Sequence, residues 1–331
     1  MKHPLNEQQQ EVFNTCIDYV KGNKSYRSEC IEGFAGTGKT TTILEIIEAV
    51  SKLFLNFKIA VTAPTNKAVR VLKDNFPYEN NNLSFITIHK LLGLKPVIDD
   101  KGNQNFMADL FGENIRIQDF HLLIIDEVSM LDDKLFIELY KNRDIKIIFM
   151  GDPCQIPPIN KIDSIPLQSL LRDEHMINCN RLTQIMRQAD GNPIIEASFL
   201  IRNNISKNIN FKNQFKTDIT ETGIGMKVLD LTVKENQYEL VADLRRIFVS
   251  DEFKADANHA KVIAWRNEVV DRFNTKIREM IYGKEIGKIC IGEKLIADSP
   301  IVEKKNGPDV NILFNTNDEF EVISYELENH N

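Results

Sequence analysis

The sequence has no C-x-x-C pair. Its five cysteines, Cys16, Cys30, Cys154, Cys179 and Cys290, are scattered over 331 residues. That spacing excludes a zinc ribbon and a disulfide framework, and it points to a reducing cytoplasm. No apolar run approaches the roughly 20 residues needed to span a bilayer, so no membrane contact is expected. Met1 to Gln10 is polar and lacks an apolar h-region, so no signal peptide is expected. Excess positive charge is also missing. With 41 Lys and Arg against 48 Asp and Glu, the formal net charge is −7. Nucleic acid would therefore have to be held by a local groove, not by a general basic coat. There is no internal repeat of fixed short period and no low-complexity segment.

What is present is ordinary globular material. Hydrophobic residues make up 42% and charged residues 27%. The length predicts roughly two domains with a core that needs no staple.

One stretch organises the rest. Gly33-Phe34-Ala35-Gly36-Thr37-Gly38-Lys39-Thr40 fits G-x-x-x-x-G-K-[ST], the phosphate-binding P-loop. Cys30 and Ile31 end an apolar run that reads as a strand. Ile43, Leu44, Ile46, Ile47, Val50 and Leu53 follow at helical spacing. Between strand and helix, glycines let the backbone curl around phosphate oxygens, and the helix N-terminus adds positive potential. Lys39 is expected to reach the β- and γ-phosphates, and the Thr40 hydroxyl to hold Mg²⁺. Gly33, Ala35, Gly36, Thr37, Gly38 and Thr41 complete the candidate nucleotide contacts.

Other stretches supply further candidates. Asn6 and Gln9 open a helix with capping-box spacing. Gln9 has a second reading, because an amide can donate to and accept from an adenine edge at once. Lys58 to Thr62 reads as a buried strand, ended by Pro64. Thr65 or Asn66 then caps a helix, or offers its N-terminus to a nucleic-acid phosphate. Thr87 to Leu92 contains His89, a lone histidine with no assigned role on spacing alone. Gly93 to Phe120 is a small β-hairpin insert with Phe106 near its tip, or else a surface loop. Leu122 to Ile125 is a continuous apolar strand, and it ends at Asp126-Glu127. Carboxylates at the end of a parallel strand face the crevice where ligands bind. There Asp126 would hold Mg²⁺, and Glu127 would orient and deprotonate a water. Lys146 to Met150 leads to the turn Gly151 to Pro158, where Gln155 could touch the γ-phosphate. Past about Asn180 the pattern starts again. Strands are expected at Lys227–Leu231 and Lys261–Trp265, helices at Gln237–Val249 and Glu268–Ile281, and two short strands within Asn311–Ser324.

Taken together, these motifs resemble superfamily 1B helicases of the 5′-to-3′ class, the RecD/Dda-like group, and most closely its phage Dda-type members. The order matches: Gln9, Gly33–Thr40, Ala63–Ala68, Thr87–Leu92, the I-D-E-V-S-M of Ile125–Met130, Gly151–Ile159, and Leu182 to Arg187. Val262–Asn274 with Arg278 resembles a strand and helix of the second domain. A-P-T-N-K-A and G-D-P-C-Q-I-P-P, in place of the T-F-T-N-K-A-A and Gln-Ser of opposite-polarity relatives, favour the 5′-to-3′ class.

The resemblance implies an α/β fold: a RecA-like parallel sheet with helices on both faces over 1–180, with an insert at about 93–120. A second, incomplete RecA-like domain would occupy 181–331. It implies an ATP-dependent translocase on single-stranded DNA, with Mg²⁺ as cofactor and Arg187 as an arginine finger. Lys39, Glu127, Gln155 and Arg187 would be catalytic, and Pro64, Thr65, Asn66, Thr87, His89 and Phe106 would contact DNA. A monomer is expected, with replication or recombination proteins as further partners. Two motifs of the family are missing, a T-x-H-K-x-Q-G type and a terminal V-x-x-T-R. The chain is therefore expected to stop inside its second domain, to bind ATP, to hydrolyse it weakly and not to unwind DNA alone. The alternative function is an ATP-gated single-stranded DNA-binding module. A GTPase is disfavoured, because Asn66-Lys67-Ala68-Val69 lacks the Asp of N-K-x-D.

Overall fold

The computed structural model describes residues 4–76, 80–98, 104–108, 117–158, 164–186, 192–204, 214–283, 289–297, 301–304, 310–314 and 318–326. The chain divides into two compact units. One is Met1–Gly191 with Ser198–Asn208, and the other is Asn192–Ala197 with Ile209–Asn331.

The first unit opens with α1 (Glu7–Val20), started by the expected capping box. Asn6 accepts from the Gln9 N–H, and the Gln9 side chain accepts from the Asn6 N–H. Strand β1 (Ser28–Gly33) follows, buried along its whole length, and then α2 (Lys39–Leu53). Next come β2 (Ile59–Ala63), α3 (Asn66–Asp74), β3 (Leu83–Thr87) and the short α4 (Ile88–Leu91). An antiparallel hairpin, β4 (Leu94–Ile98) with β5 (Gln104–Ala108), occupies the expected insert. Phe106 sits on β5, opposite Pro96. Then come β6 (Leu122–Ile125), α5 (Asp133–Tyr140), β7 (Lys146–Gly151), α6 (Ser169–Glu174), β8 (Ile177–Leu182) and, from Ser198 on, the later part of α7 (Pro193–Asn204).

Six strands form one parallel sheet in the order β3-β2-β6-β7-β1-β8. Side-chain alternation feeds two cores. Ile31, Val61, Ile124 and Ile148 pack with Val12, Ile43 and Leu72 from α1, α2 and α3. Cys30, Leu123, Ile125, Ile147 and Phe149 pack with Phe136 and Leu139 of α5 on the other side. Burial on both faces explains the unbroken apolar run of β6. The order also sets up the site. The chain leaves β1 for β2 at a distance and later returns to place β6 and β7 between them. This is the reversal at which open α/β sheets bind ligands.

In the second unit, α8 (Lys234–Phe248), α9 (Asp251–Ala255) and α10 (Asn267–Tyr282) carry a small core around Leu244, Phe248 and Ile277. Three two-stranded ladders accompany them. They are β9 (Asp218–Ile219) with β10 (Gly225–Met226), β11 (Lys294–Ile296) with β14 (Glu319–Glu321), and β12 (Ile301–Lys304) with β13 (Val310–Phe314). Both helices lie where sequence periodicity placed them. The expected strands at 227–231 and 261–265 do not form. Neither stretch has a ladder partner among the described residues, and a strand exists only through its neighbour's hydrogen bonds. Val262 leans on the helical core, while Ile263 is 93% and Trp265 99% exposed.

Candidate nucleotide and nucleic-acid site

The P-loop joins β1 to α2, and its shape depends on glycine. A Cβ on Gly33 would stand 2.7 Å from Thr37 Oγ1. Gly38 has φ of 79°, and a Cβ there would collide with Gln9 Nε2. Gln9 is 3% exposed and its Nε2 donates to the Thr37 carbonyl at 3.0 Å, so α1 braces the loop from below. The capping-box reading of Gln9 holds, and the same side chain also ties α1 to the loop. Lys39 Nζ donates to the carbonyls of Gly33 at 2.7 Å and Phe34 at 3.2 Å. Burial pulls the Lys39 ammonium below its ordinary pKa, against the opposing fields of Asp152, Asp126 and Glu127. Thr40 is half-buried at the start of α2, while Ala35 and Thr41 are exposed.

Strand register brings the remaining groups to the same edge. Ile125 pairs with Phe149, and Glu32 with Gly151, so β6 stops two residues before β7 and leaves Asp126 and Glu127 beside the ends of β7 and β1. A Cβ at Gly151 would lie 2.7 Å from Val128 Cγ1, so glycine lets the turn after β6 pack against β7. Burial pushes the Asp126 carboxyl up to about 6. The Glu127 N–H, donating to Asp126 Oδ1 at 2.8 Å, opposes that shift. Glu127 is left-handed at φ 52°, an uncommon conformation for a residue with a Cβ, and it begins a 3₁₀ turn at Val128–Met130. The hydroxyl of Thr62, on neighbouring β2, is buried without a hydrogen-bond partner among the described residues. The Thr62 carbonyl accepts from the Asp126 N–H at 2.8 Å.

After β7 the chain turns at Asp152, whose carbonyl accepts from the Gln155 N–H at 3.0 Å. The Gln155 side chain is exposed. Two groups that sequence reasoning missed stand here. Asp152 is 1% exposed and is held by Arg202 of α7, which also covers the Phe34 ring. Asp152 was legible as part of a turn, but nothing in spacing marks Arg202. Arg187 lies outside the described residues.

The candidate nucleic-acid residues follow β2 and β3 on the same sheet edge. Thr65 caps α3 by accepting from the Ala68 N–H, and Thr87 caps α4 by accepting from the Lys90 N–H. Pro64 is half-buried and Asn66 exposed. The His89 and Phe106 rings stack at 3.7 Å with planes 14° apart. Burial lowers the His89 pKa, so the ring is held neutral. Phe106 and Met107 remain exposed on the hairpin.

These residues fit Mg·ATP. The loop's curl admits only glycine at Gly33 and Gly38, one ammonium and a helix N-terminus face the cradle, and Thr40 and Asp126 offer the hard oxygens Mg²⁺ prefers. No helix among the described residues is long and apolar enough to cross a membrane.

Comparison with known proteins agrees. A family model described as an AAA domain matches residues 4–217. An uncharacterized protein of Acanthamoeba polyphaga mimivirus is 29% identical over 96% of this chain and 64% of its own length. The ATP-dependent RecD2 DNA helicase of Deinococcus radiodurans is 32% identical over 59% of this chain and 23% of its own. The ATP-dependent DNA helicase dda of Enterobacteria phage T4 is 27% identical over 97% of this chain and 68% of its own. The chain thus spans about two thirds or less of these relatives. It belongs to the family described by the AAA-domain model.

Proposed function

We propose that this chain is an ATP-driven motor on single-stranded DNA, moving 5′-to-3′ and hydrolysing ATP at the P-loop. One observation carries the reading. The strand order puts Lys39, Asp126, Glu127 and the Gln155 turn at the same end of the sheet as Thr65 and Thr87, which follow β2 and end β3. Candidate nucleotide and nucleic-acid residues then share one end of a single sheet, with His89 on the short α4 after β3 and Phe106 on the separate β4–β5 hairpin.

Lys39 would leave the carbonyls of Gly33 and Phe34 for phosphate oxygens and neutralise their charge. Thr40 and Asp126 would hold Mg²⁺, which when bound neutralises charge on the transferred phosphoryl group. Glu127 would orient the attacking water and take its proton. Gln155 would sense the γ-phosphate. Arg187, by the resemblance, would stabilise transition-state charge. Thr65, Asn66 and Thr87 would receive DNA phosphates at helix N-termini, and the His89–Phe106 stack would receive a base.

The test pairs two assays on purified chain with Mg·ATP. Lys39→Ala should abolish DNA-stimulated ATP turnover while the chain stays folded. Movement should be seen on 5′-tailed but not 3′-tailed substrates. Normal turnover in Lys39→Ala would remove the site. The opposite tail preference would reverse the direction.

A further inference from the structure

The phosphate site contains a cation with no place in the motifs that define it. Arg202 lies near the end of α7. Its Nη1 and Nη2 donate to the two oxygens of Asp152 at 2.9 and 2.6 Å, a bidentate fork. One face of the same guanidinium covers the Phe34 ring, with Cζ 3.8 Å from the centroid. The side chain is 17% exposed and that of Asp152 2%.

Each of these partners belongs to a different wall of the site. Phe34 follows Gly33 in the P-loop, and its carbonyl receives Lys39 Nζ and the Thr37 hydroxyl. Asp152 shapes the turn that presents Gln155. Its Oδ1 accepts from the Cys154 N–H at 3.0 Å, and its carbonyl accepts from the Gln155 N–H. One guanidinium therefore fixes the P-loop and the Gln155 turn relative to each other. It also neutralises a buried carboxylate whose field reaches Lys39. Left unpaired, that carboxylate would repel any phosphate held there.

We propose that Arg202 is a positioning residue for phosphoryl transfer: by gripping Asp152 and Phe34 together, it sets Gln155 and Lys39 at the spacing one phosphoryl group requires. The inference rests on the ATPase reading above. It specifies arginine, because lysine keeps the charge but neither forks onto a carboxylate nor stacks on a ring.

The experiment compares the unchanged chain with Arg202→Lys, Asp152→Asn, their double variant, Phe34→Leu and Lys39→Ala. Steady-state Mg·ATP turnover, affinity for a fluorescent ATP analogue and thermal melting are measured for each. Arg202→Lys should lower kcat about 10–100-fold, the size expected of an ångström-scale misplacement. Its nucleotide Kd should stay within about threefold and its melting well above the assay temperature, a split that a purely structural role would not give. The double variant should be no slower than the worse single one, because both break the same bridge. Unchanged kcat in a folded Arg202→Lys overturns the assignment. If that variant does not fold, Phe34→Leu decides: it keeps apolar bulk and removes the ring face, and unchanged kcat there overturns the assignment equally. Lys39→Ala separates the two layers. If it is dead while Arg202→Lys is normal, only this inference fails. If it turns over normally, the ATPase reading fails and the role of Arg202 falls with it.

Discussion

The side-chain amide of Gln9 donates to the carbonyl of Thr37 at 3.0 Å, and this bond pins α1 against the P-loop. The space it occupies is the space a Cβ on Gly38 would take. Gly38→Ala should therefore disable the loop twice over, through the collision and through its φ of 79°. Nucleotide affinity should fall at least about tenfold, with strain of roughly 1–2 kcal/mol shown by a lower melting temperature. Gly38→Ala should lower the melting temperature less in a Gln9→Ala background than in the unchanged chain, because there only the backbone strain remains. An equal loss in both backgrounds would show that the amide is not the obstacle. Fluorescent-nucleotide titration and calorimetry read both effects.

Glu127, the carboxylate proposed to orient the attacking water, is held in a left-handed conformation. Two substitutions pull its roles apart. Glu127→Gln should bind Mg·ATP as before and lose about 10²–10⁴-fold in turnover, the contribution of a positioned base. Glu127→Gly should be equally inactive, yet melt higher, because glycine adopts φ of 52° without the cost of roughly 1–3 kcal/mol borne by other residues. Equal loss of binding and turnover in Glu127→Gln would recast the residue as a metal or structural group.

Glu29 provides a pH signature away from the site. It is fully buried on β1, where Tyr26 donates to Oε1 and Asn178 and Asn180 donate to Oε2 at 2.9 and 2.8 Å. Burial raises its pKa above the ordinary value of 4.5, against those donors. The folded chain therefore holds this proton at pH values where the unfolded chain has lost it. Stability drains away as pH rises from about 4.5 to the folded pKa, and the penalty is complete above it. Glu29→Gln carries no such penalty. Its melting temperature relative to the unchanged chain should rise between pH 4 and pH 7. A difference that is flat with pH, or falls, would show that the donors outweigh burial.

If DNA is gripped as proposed, a base stacks on the His89–Phe106 pair. Phe106→Ala should then weaken single-stranded DNA binding about 5- to 150-fold, corresponding to the roughly 1–3 kcal/mol of one base stack. Affinity should also fall with salt, along a slope set by the few phosphates contacted, because this acidic chain has no general basic coat. Fluorescence anisotropy with a labelled oligonucleotide measures both. Equal affinity for blunt duplex and single strand would count against a stacking platform.

The readable parts of the chain were those in which one short stretch carries its own chemistry. Gly33–Thr40 and Asp126-Glu127 could be assigned because residue type and neighbouring elements together leave few alternatives. The hairpin at Leu94–Ile98 and Gln104–Ala108 was marked by its polar turn. Strand β8 was not legible, for a physical reason. Ile177–Leu182 carries only Ile177, Cys179 and Leu182 as apolar residues, because Asn178 and Asn180 serve the carboxylate of Glu29 and Arg181 serves that of Glu32. Residues 261–265 misled in the opposite sense, since β-propensity says nothing about whether a partner strand exists. Arg202 was invisible because its contact with Asp152 spans 50 residues and depends only on how α7 packs.

The position of β1 in the sheet carries a cost in time. Its two neighbours are β7 and β8, both of which follow the P-loop in the sequence. The roughly 150 residues from Gly33 to Leu182 take on the order of 10–30 s to synthesise. Until β7 is made both edges of β1 are bare, and until β8 is made one of them still is, so ATP meets an incomplete cradle on the nascent chain. Early synthesis instead leaves an apolar strand in need of shelter, and a chaperone that covers Cys30 and Ile31 would have to let go before the nucleotide pocket could close.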